Sequence, residues 1–258
     1  EIEPVLRTPG MGGFELLDLH DFPGQGTALV GVLDPFWDSK PYVSPEEYHR
    51  FACETVPLAR LSKRVWTSDE TFTAEIQIAH FGPTDLASPK IVWSLNDEAG
   101  QPVDSGTWEP ESVPTGRLSD AGRLICSLDG VAAPAKLRLQ VAVDGTPYAN
   151  DWDVWVYAPA VETTAPQDVH VGTVLDDAAV KHLESGGKVL LLPAAGTVKG
   201  DRYGKIPPGF SSIFWNTAWT RRQPPHTLGI LCDPKHPALA AFPTEYHSNW
   251  QWWDLITK

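Results

Sequence analysis

The sequence predicts a multidomain α+β chain in three parts. Residues 1–60 are expected to form the C-terminal strand and helix of a (β/α)8 barrel, residues 61–159 an immunoglobulin-like β-sandwich, and residues 160–258 a partial α/β domain. Three patterns predict them: an apolar run that ends in polar residues, a series of short alternating segments, and a capped helix followed by an apolar run.

The first pattern lies between Phe14 and Phe22. Its nearly continuous apolar residues are typical of a strand buried on both faces: Phe14, Leu16, Leu17 and Leu19. Asp18, His20 and Asp21 gather at its C-terminal end, which is where a (β/α)8 barrel carries its chemistry. The pattern therefore indicates a site, although local capping by Asp18 and a satisfied buried imidazole at His20 would explain the same residues.

One strand and one helix cannot close a barrel of roughly 250 residues. We therefore expect the rest of the barrel to come from an upstream or separate polypeptide. The helix of this first part is predicted from Pro45 to about Phe51 or Cys53, because Ser44 suits the N-cap and Pro45 the first helical position. Glu46 and Glu47 suit the positive end of the helix dipole.

Period-two alternation of apolar and polar residues predicts the strands of the sandwich. The alternating segments are Thr71 to Ile78, Ile91 to Leu95, Leu124 to Leu128, Leu137 to Val143 and Trp152 to Val156. Turn signals such as Asn96 to Gly100 and Asp144-Gly145 separate them. About seven such strands in roughly a hundred residues are typical of an immunoglobulin-like sandwich.

In the third part, Asp176 or Asp177 is expected to cap a helix that runs to about Glu184 and ends at Gly186-Gly187. Lys188 to Leu192 should form a buried strand. A second strand is predicted at Thr227 to Cys232, after an aromatic segment without clear period, Gly209 to Arg222.

Composition excludes several functional classes. The formal net charge of −13 disfavours nucleic acid and anionic membranes as partners, and no apolar run approaches the roughly 20 residues of a membrane span. Cys53, Cys126 and Cys232 lie far apart without zinc-site spacing, so we expect small apolar residues, no metal and no cofactor. The 11 Trp residues suit large cores or the stacking of sugar rings. Localisation stays open.

The stretch from Gly13 to Gly26, with Val30-Gly31-Val32-Leu33-Asp34-Pro35-Phe36-Trp37-Asp38-Ser39-Lys40, resembles the end of the catalytic barrel in glycoside hydrolase family 2. That family includes β-galactosidases, β-glucuronidases and β-mannosidases. The strand Asn150 to Tyr157 and the α/β part look like accessory domains of a bacterial, sugar-binding branch. The α/β part resembles the class I glutamine-amidotransferase-like fold, but Pro193-Ala194-Ala195-Gly196 lacks the nucleophilic cysteine, so a structural or lid role is expected.

The resemblance implies the C-terminal part of a bacterial, secreted or periplasmic β-glycosidase acting on a carbohydrate substrate. Its two catalytic carboxylates would lie on earlier barrel strands, which leaves the isolated chain inactive. Asp18, His20 and Asp21 would bind substrate hydroxyls or orient those carboxylates, and Trp37 would stack on a sugar ring or, alternatively, hold the loop as a core residue. Asp18 and Asp21 are disfavoured as a catalytic pair, because their side chains should face different ways.

Two other interpretations remain. A non-catalytic carbohydrate-binding protein would use the aromatic residues of the sandwich as a stacking face, for example Trp93, Trp108 or Trp155. Alternatively, the two later parts only pack against a barrel or a sister subunit, which predicts large exposed apolar patches. In the α/β part a further aromatic and basic group would either reach over a barrel mouth or form an ordinary core: Trp215, Trp219, Arg221, Arg222 and His226.

Overall fold

The computed structural model describes residues 2–24, 30–194, 199–200, 204–205 and 230–256. The chain divides into two compact units, Glu1–Ala158 and Pro159–Lys258. The elements of the first unit are the helices α1 (Ile2–Leu6) and α2 (Pro45–Phe51) and the strands β1 (Thr55–Leu61), β2 (Val65–Thr67), β3 (Thr71–His80), β4 (Leu86–Ala87), β5 (Ile91–Asp97), β6 (Pro102–Trp108), β7 (Ser112–Val113), β8 (Arg117–Ser127), β9 (Ala135–Val143) and β10 (Ala149–Tyr157).

Two sheets make up most of this unit. The first is antiparallel with the order β1-β3-β8, and the second has the order β2-β10-β9-β5-β6, with β2 parallel to β10 and the other neighbours antiparallel. β4 and β7 form a separate short ladder. The strands predicted from alternation therefore exist, and they belong to a two-sheet sandwich.

The core of the sandwich lies between the two sheets. Apolar residues at every second position of β3 point inward and meet those of β5, β9 and β10, as in Ile76, Leu95, Leu139 and Val154. Each fully buried side chain of this kind contributes roughly 1.5–3 kcal/mol of transfer free energy. Trp66 packs edge-on against Phe72, with ring centroids 5.2 Å apart.

Both helices of this unit are fixed to the sandwich. The side-chain oxygen of Ser44 accepts from Glu47 N at 3.2 Å, and the Glu47 carboxylate accepts from Ser44 N at 2.8 Å, which completes the capping box at the start of α2. Arg50 of α2 forms an ion pair with Asp151 of β10. In α1, the Glu3 carboxylate accepts from Trp152 Nε1 at 3.1 Å and from Asn150 Nδ2 at 2.9 Å.

The described residues contain no (β/α)8 barrel, and the segment from Phe14 to Phe22 is not a buried strand among them. Residues 14–19 form no ladder, and the segment makes only an isolated parallel bridge between His20 and Leu33. Its apolar side chains are exposed, with Leu17 at 78%. A strand buried on both faces needs partners on both edges and layers on both faces, and the described residues supply neither.

The elements of the second unit are β11 (Val169–Gly172), α3 (Asp177–Glu184), β12 (Lys188–Leu191), β13 (Lys199–Gly200), β14 (Gly204–Lys205), the 3-10 turns Pro237–Leu239 and Trp250–Trp252, and α4 (Trp253–Ile256). β11 and β12 are parallel and joined by α3, which is the βαβ arrangement expected of an α/β part. The Asp176 side chain caps α3 by accepting from Ala179 N at 2.9 Å, as predicted. Gly186 follows with a φ of +85°.

The predicted burial of Lys188 to Leu192 is wrong, because Leu190, Leu191 and Leu192 are all exposed. Within the described part of the unit, β12 has a single sheet neighbour, β11. Of the strand predicted at Thr227 to Cys232, only residues 230–232 are described, and Leu231 there bridges to His247. The aromatic segment Gly209 to Arg222 and His226 lie outside the described residues.

Candidate functional site

Two stretches of the first unit come together at the predicted site, residues 18–21 and residues 31–42. Backbone hydrogen bonds join them on both sides of Leu33: Leu33 N donates to Leu19 O at 3.1 Å, and Asp21 N donates to Leu33 O at 3.0 Å. We call this assembly the loop site. Its arrangement is fixed by backbone pairing, so side chains distant in sequence meet with a defined geometry.

Asp21 is the anchor of the loop site. Its side chain accepts from Lys40 Nζ at 2.6 Å and from Gly31 N at 2.9 Å, and the residue is 3% exposed. The hydrogen bond from Lys40 holds the pKa of the Asp21 carboxyl below its ordinary value. Lys40 Nζ also donates to Gly31 O at 2.9 Å, and Tyr42 Oη donates to the same carbonyl. Asp21 Oδ1 therefore links the two stretches of the loop site through Lys40 and Gly31.

Trp37 is presented by a tight turn that begins at Asp34. The Asp34 carboxylate accepts from Phe36 N at 2.8 Å and from Asp38 N at 2.9 Å, while Trp37 N donates to Asp34 O at 3.1 Å. Trp37 has a φ of +73°, a conformation that only a well-determined turn imposes on a bulky residue. Trp37 is 60% exposed and Phe36 is 83% exposed, so the turn holds two aromatic rings in solvent.

His20 lies beside the Trp37 ring, with centroids 4.4 Å apart and planes tilted by 48°. His20 Nδ1 is 2.7 Å from Asp21 O. Because a carbonyl can only accept, Nδ1 carries a proton, and in the neutral ring Nε2 is the acceptor. The half-buried imidazole thus supports the tryptophan and offers an acceptor for a hydroxyl group.

The structure brings together three of the four predicted site residues, His20, Asp21 and Trp37. Asp18 lies just upstream with a φ of +63°, half-buried, and makes no hydrogen bond to the other three. The sequence pattern missed Lys40 and Gly31 as parts of the site. A lysine near buried carboxylates is a usable signal, but nothing in the sequence couples Lys40 to Asp21 across 19 positions.

Gly31 is expected to be intolerant of any side chain. A Cβ atom there would lie 2.3 Å from the carbonyl carbon of His20 and 2.5 Å from Asp21 N, and backbone atoms cannot move aside. We expect Gly31→Ala to separate the two stretches and to change the Trp37 indole Nε1–H NMR signal and the proteolysis rate of residues 18–42. Gly12→Ala is the matched control, because nothing lies within 4 Å of its Cβ position. Indistinguishable behaviour of the two variants would contradict this geometry.

The Asp21–Lys40 ion pair should make the loop site sensitive to acid. A carboxyl with a lowered folded-state pKa stabilises the fold above its ordinary pKa of 3.8, and this stabilisation is lost as pH falls through the lowered value. We expect Lys40→Met to move the acid transition of the Trp37 indole Nε1–H NMR signal to higher pH, because the carboxyl loses its main partner. Lys90→Met, which removes the exposed pair with Asp144, is the control and should not move it. An unchanged midpoint in Lys40→Met would refute the coupling.

The three sandwich tryptophans considered for a stacking face differ in burial. Trp155 is 0% exposed, so its assignment to a stacking face is wrong. Trp93 and Trp108 are half-buried and stack on each other, with centroids 5.9 Å apart, while packing against the core. Trp215, Trp219, Arg221, Arg222 and His226 lie outside the described residues.

Other reactive groups give no competing site in the described residues. No group of three or more His, Cys, Asp or Glu there could hold a metal ion. Burial raises the pKa of the Cys126 thiol to about 11 and also raises the pKa of Cys53, so neither is a thiolate at neutral pH. None of the described helices has the length and apolar character needed to cross a bilayer.

Comparisons with solved structures return partial and distant likenesses. Spo0M, the sporulation control protein of Bacillus subtilis, is 10% identical with a TM-score of 0.32, over 41% of this chain and 50% of that one. A Parabacteroides merdae β-glucuronidase is 14% identical with a TM-score of 0.28, over 40% of this chain and 13% of that one. The CARDB domain of a Pyrococcus furiosus protein is 13% identical with a TM-score of 0.31, over 40% of this chain and 91% of that one.

This chain spans half or less of the length of the first structures it matches, among them a glycoside hydrolase family 2 β-glucuronidase of which it covers 11%. No curated protein matches it. Two family models do, and they coincide with the sandwich and with the second unit. Residues 70–158 match a domain of unknown function, DUF8488, and residues 170–258 match another, DUF8487.

Proposed function

We propose that this chain supplies a substrate-binding wall and accessory domains to a glycoside hydrolase that acts on β-glycosidic bonds of carbohydrates, while the catalytic carboxylate pair belongs to other barrel strands. The proposal joins the sequence resemblance over residues 13–40 to the geometry of the loop site. The observation that carries it is the exposed Trp37 ring, held by the Asp34 turn and supported by His20 at 4.4 Å.

The chemistry of this arrangement suits a sugar. The C–H face of a pyranose packs against a flat aromatic face, and its hydroxyl groups need acceptors and donors at the edge of that face. Trp37 provides the flat face and His20 Nε2 an acceptor, and the turn holds the ring in place before the ligand arrives. Preorganisation of this kind lowers the entropy that binding has to offset.

The state of Asp21 argues against a catalytic pair within the loop site. A retaining glycosidase needs two carboxylates about 5–5.5 Å apart, one of which holds a proton at working pH. Asp21 is ion-paired with Lys40 and its pKa is lowered, so it cannot serve as the acid, and it has no open face for a nucleophile. This leaves Asp18, His20 and Trp37 with binding roles in the proposal.

The exposed apolar residues near the N-terminus support a role for the rest of the barrel as a partner. Exposed apolar side chains recur between residues 11 and 22, around the first stretch of the loop site: Met11, Phe14, Leu16, Leu17, Leu19 and Phe22. Exposed apolar side chains grouped in this way along one segment favour an interaction site. We propose that neighbouring barrel strands cover this segment, whether they precede it in the same polypeptide or belong to a separate one.

A combined binding and turnover assay tests the proposed function. The purified chain should bind β-linked gluco-, galacto- or manno-oligosaccharides, yet release no nitrophenol from the matching aryl β-glycosides. Turnover by the chain that disappears in Asp18→Asn and persists in Asp129→Asn would show that the chain itself is catalytic. No binding of any member of the panel would overturn the sugar-binding role.

A further inference from the structure

We infer that the loop site takes neutral glycans and rejects glycans that carry carboxylate or sulfate groups; this rests on the proposed function and names its substrate class. The segment that contains the Trp37 turn is acidic. Between residues 9 and 50 the sequence has seven carboxylates and two basic side chains of the Lys and Arg type, a formal net charge of −5. The carboxylates are Glu15, Asp18, Asp21, Asp34, Asp38, Glu46 and Glu47, and the basic residues are Lys40 and Arg50.

Both basic side chains already have carboxylate partners. Lys40 Nζ is 2.6 Å from Asp21 Oδ1 and 2.9 Å from Gly31 O, and its side chain is largely buried. Arg50 forms an ion pair with Asp151 on the sandwich. Recognition of an anionic sugar normally uses an arginine or lysine that pairs with the carboxylate or sulfate. In this segment, a ligand would have to break an existing ion pair to obtain one.

Asp34 and Asp38 lie in the same turn as Trp37. The Asp34 carboxylate is held by two backbone N–H groups of the turn, and Asp38, the residue after Trp37, is exposed. Hydroxyl groups of a neutral sugar can donate to such carboxylates, whereas a uronate would meet like charge. The same side chains therefore favour neutral rings and disfavour anionic ones.

Repulsion between exposed charges depends on salt, so affinities measured at two salt concentrations test this selection. The Debye length is about 10 Å at 0.1 M salt and about 3 Å at 1 M, so a purely electrostatic selection fades as salt rises. Matched ligands exist that differ only at C6: β-1,4-linked tetramers of glucose and of glucuronate, and of mannose and of mannuronate. Their affinities can be measured by ligand-observed NMR or calorimetry on the whole chain, at low salt and at 1 M NaCl, in wild type and Asp38→Asn.

We expect the uronate tetramers to bind at least about tenfold more weakly than the neutral tetramers at low salt, and within about threefold of them at 1 M NaCl. Asp38→Asn should reduce the difference in affinity between neutral and uronate tetramers at low salt. Asp129→Asn makes the same charge change in the loop after β8 and should leave that difference unchanged. Equal binding of both classes, or a gap that does not respond to salt, would overturn the inference and leave the proposed function standing. Failure of every tetramer and of β-galacto-oligosaccharides would overturn the proposed function itself.

Discussion

Replacing Trp37 with alanine should weaken the binding of β-linked oligosaccharides by about tenfold or more, which corresponds to about 1.4 kcal/mol. The Trp37 indole is exposed in the loop site, and the His20 ring supports it at a centroid distance of 4.4 Å. Its removal takes away the flat apolar face on which a pyranose would stack. Because the ring is 60% exposed, its loss leaves no core cavity, and the melting temperature should change by no more than about 2 °C.

Two further variants separate stacking from general surface effects. Trp37→Phe keeps a flat ring and should retain part of the affinity. Phe81→Ala removes another exposed aromatic side chain of the same unit and should leave binding unchanged. If Trp37→Ala bound as tightly as wild type, or lost affinity only together with its fold, the stacking role of Trp37 would be wrong. Affinities by calorimetry and melting curves by circular dichroism decide between these results.

Replacing Trp155 with alanine should lower the free energy of unfolding by about 3–5 kcal/mol. Its side chain is 0% exposed in β10, with Lys136 Nζ 5.7 Å from the ring centroid, so the substitution leaves a large cavity. The indole N–H of Trp155 has no hydrogen-bond partner in the described structure, so its loss removes no hydrogen bond. Most of the effect should therefore come from packing, with a smaller part from the lost cation–π contact with Lys136.

The packing origin of this effect can be checked with two comparisons in urea. Trp155→Phe fills most of the cavity and should be much less destabilising than Trp155→Ala. Trp93→Ala removes a half-buried ring and should fall between wild type and Trp155→Ala. A loss below about 1 kcal/mol in Trp155→Ala would contradict the burial. If Trp155→Ala instead lost sugar affinity at unchanged stability, Trp155 would lie on a binding face.

Local signals predicted local structure well. Ser44 and Glu47 form their capping box because both partners lie within four residues, and Asp176 caps α3 for the same reason. Period-two alternation located β3, β5, β8, β9 and β10, because a strand with one buried face has apolar residues at every second position. These features depend on neighbours in sequence, which a single sequence shows.

Features that depend on distant partners were predicted poorly. The apolar run from Phe14 to Phe22 indicates a strand buried on both faces, but the pattern does not say which residues would cover it, and none of the described ones do. Trp155 alternates with buried residues of β10, and the carbohydrate-binding alternative named it as an example for an open stacking face. Contacts from α2 to β10 and from Lys136 to the ring, both from elsewhere in the sequence, accompany its burial.

The loop site illustrates both outcomes. Its residue types were predicted from a polar cluster at the end of an apolar run and from a tryptophan in the following loop. Their grouping depends on the bridge between His20 and Leu33 and on the Asp21–Lys40 ion pair, which the chain forms across 13 and 19 positions. Asp21 contacts Gly31 and Lys40, which ties together the two stretches that carry His20 and Trp37.

The measurement that tests the central claim most directly is an NMR titration of the indole Nε1–H signals with β-linked gluco-, galacto- and manno-oligosaccharides. The signal of Trp37, assigned by its disappearance in Trp37→Phe, should shift in proportion to bound ligand, and the signals of Trp93 and Trp108 should stay in place. Saturable shifts at Trp93 or Trp108 with Trp37 unmoved would place the sugar on the sandwich and contradict the loop site.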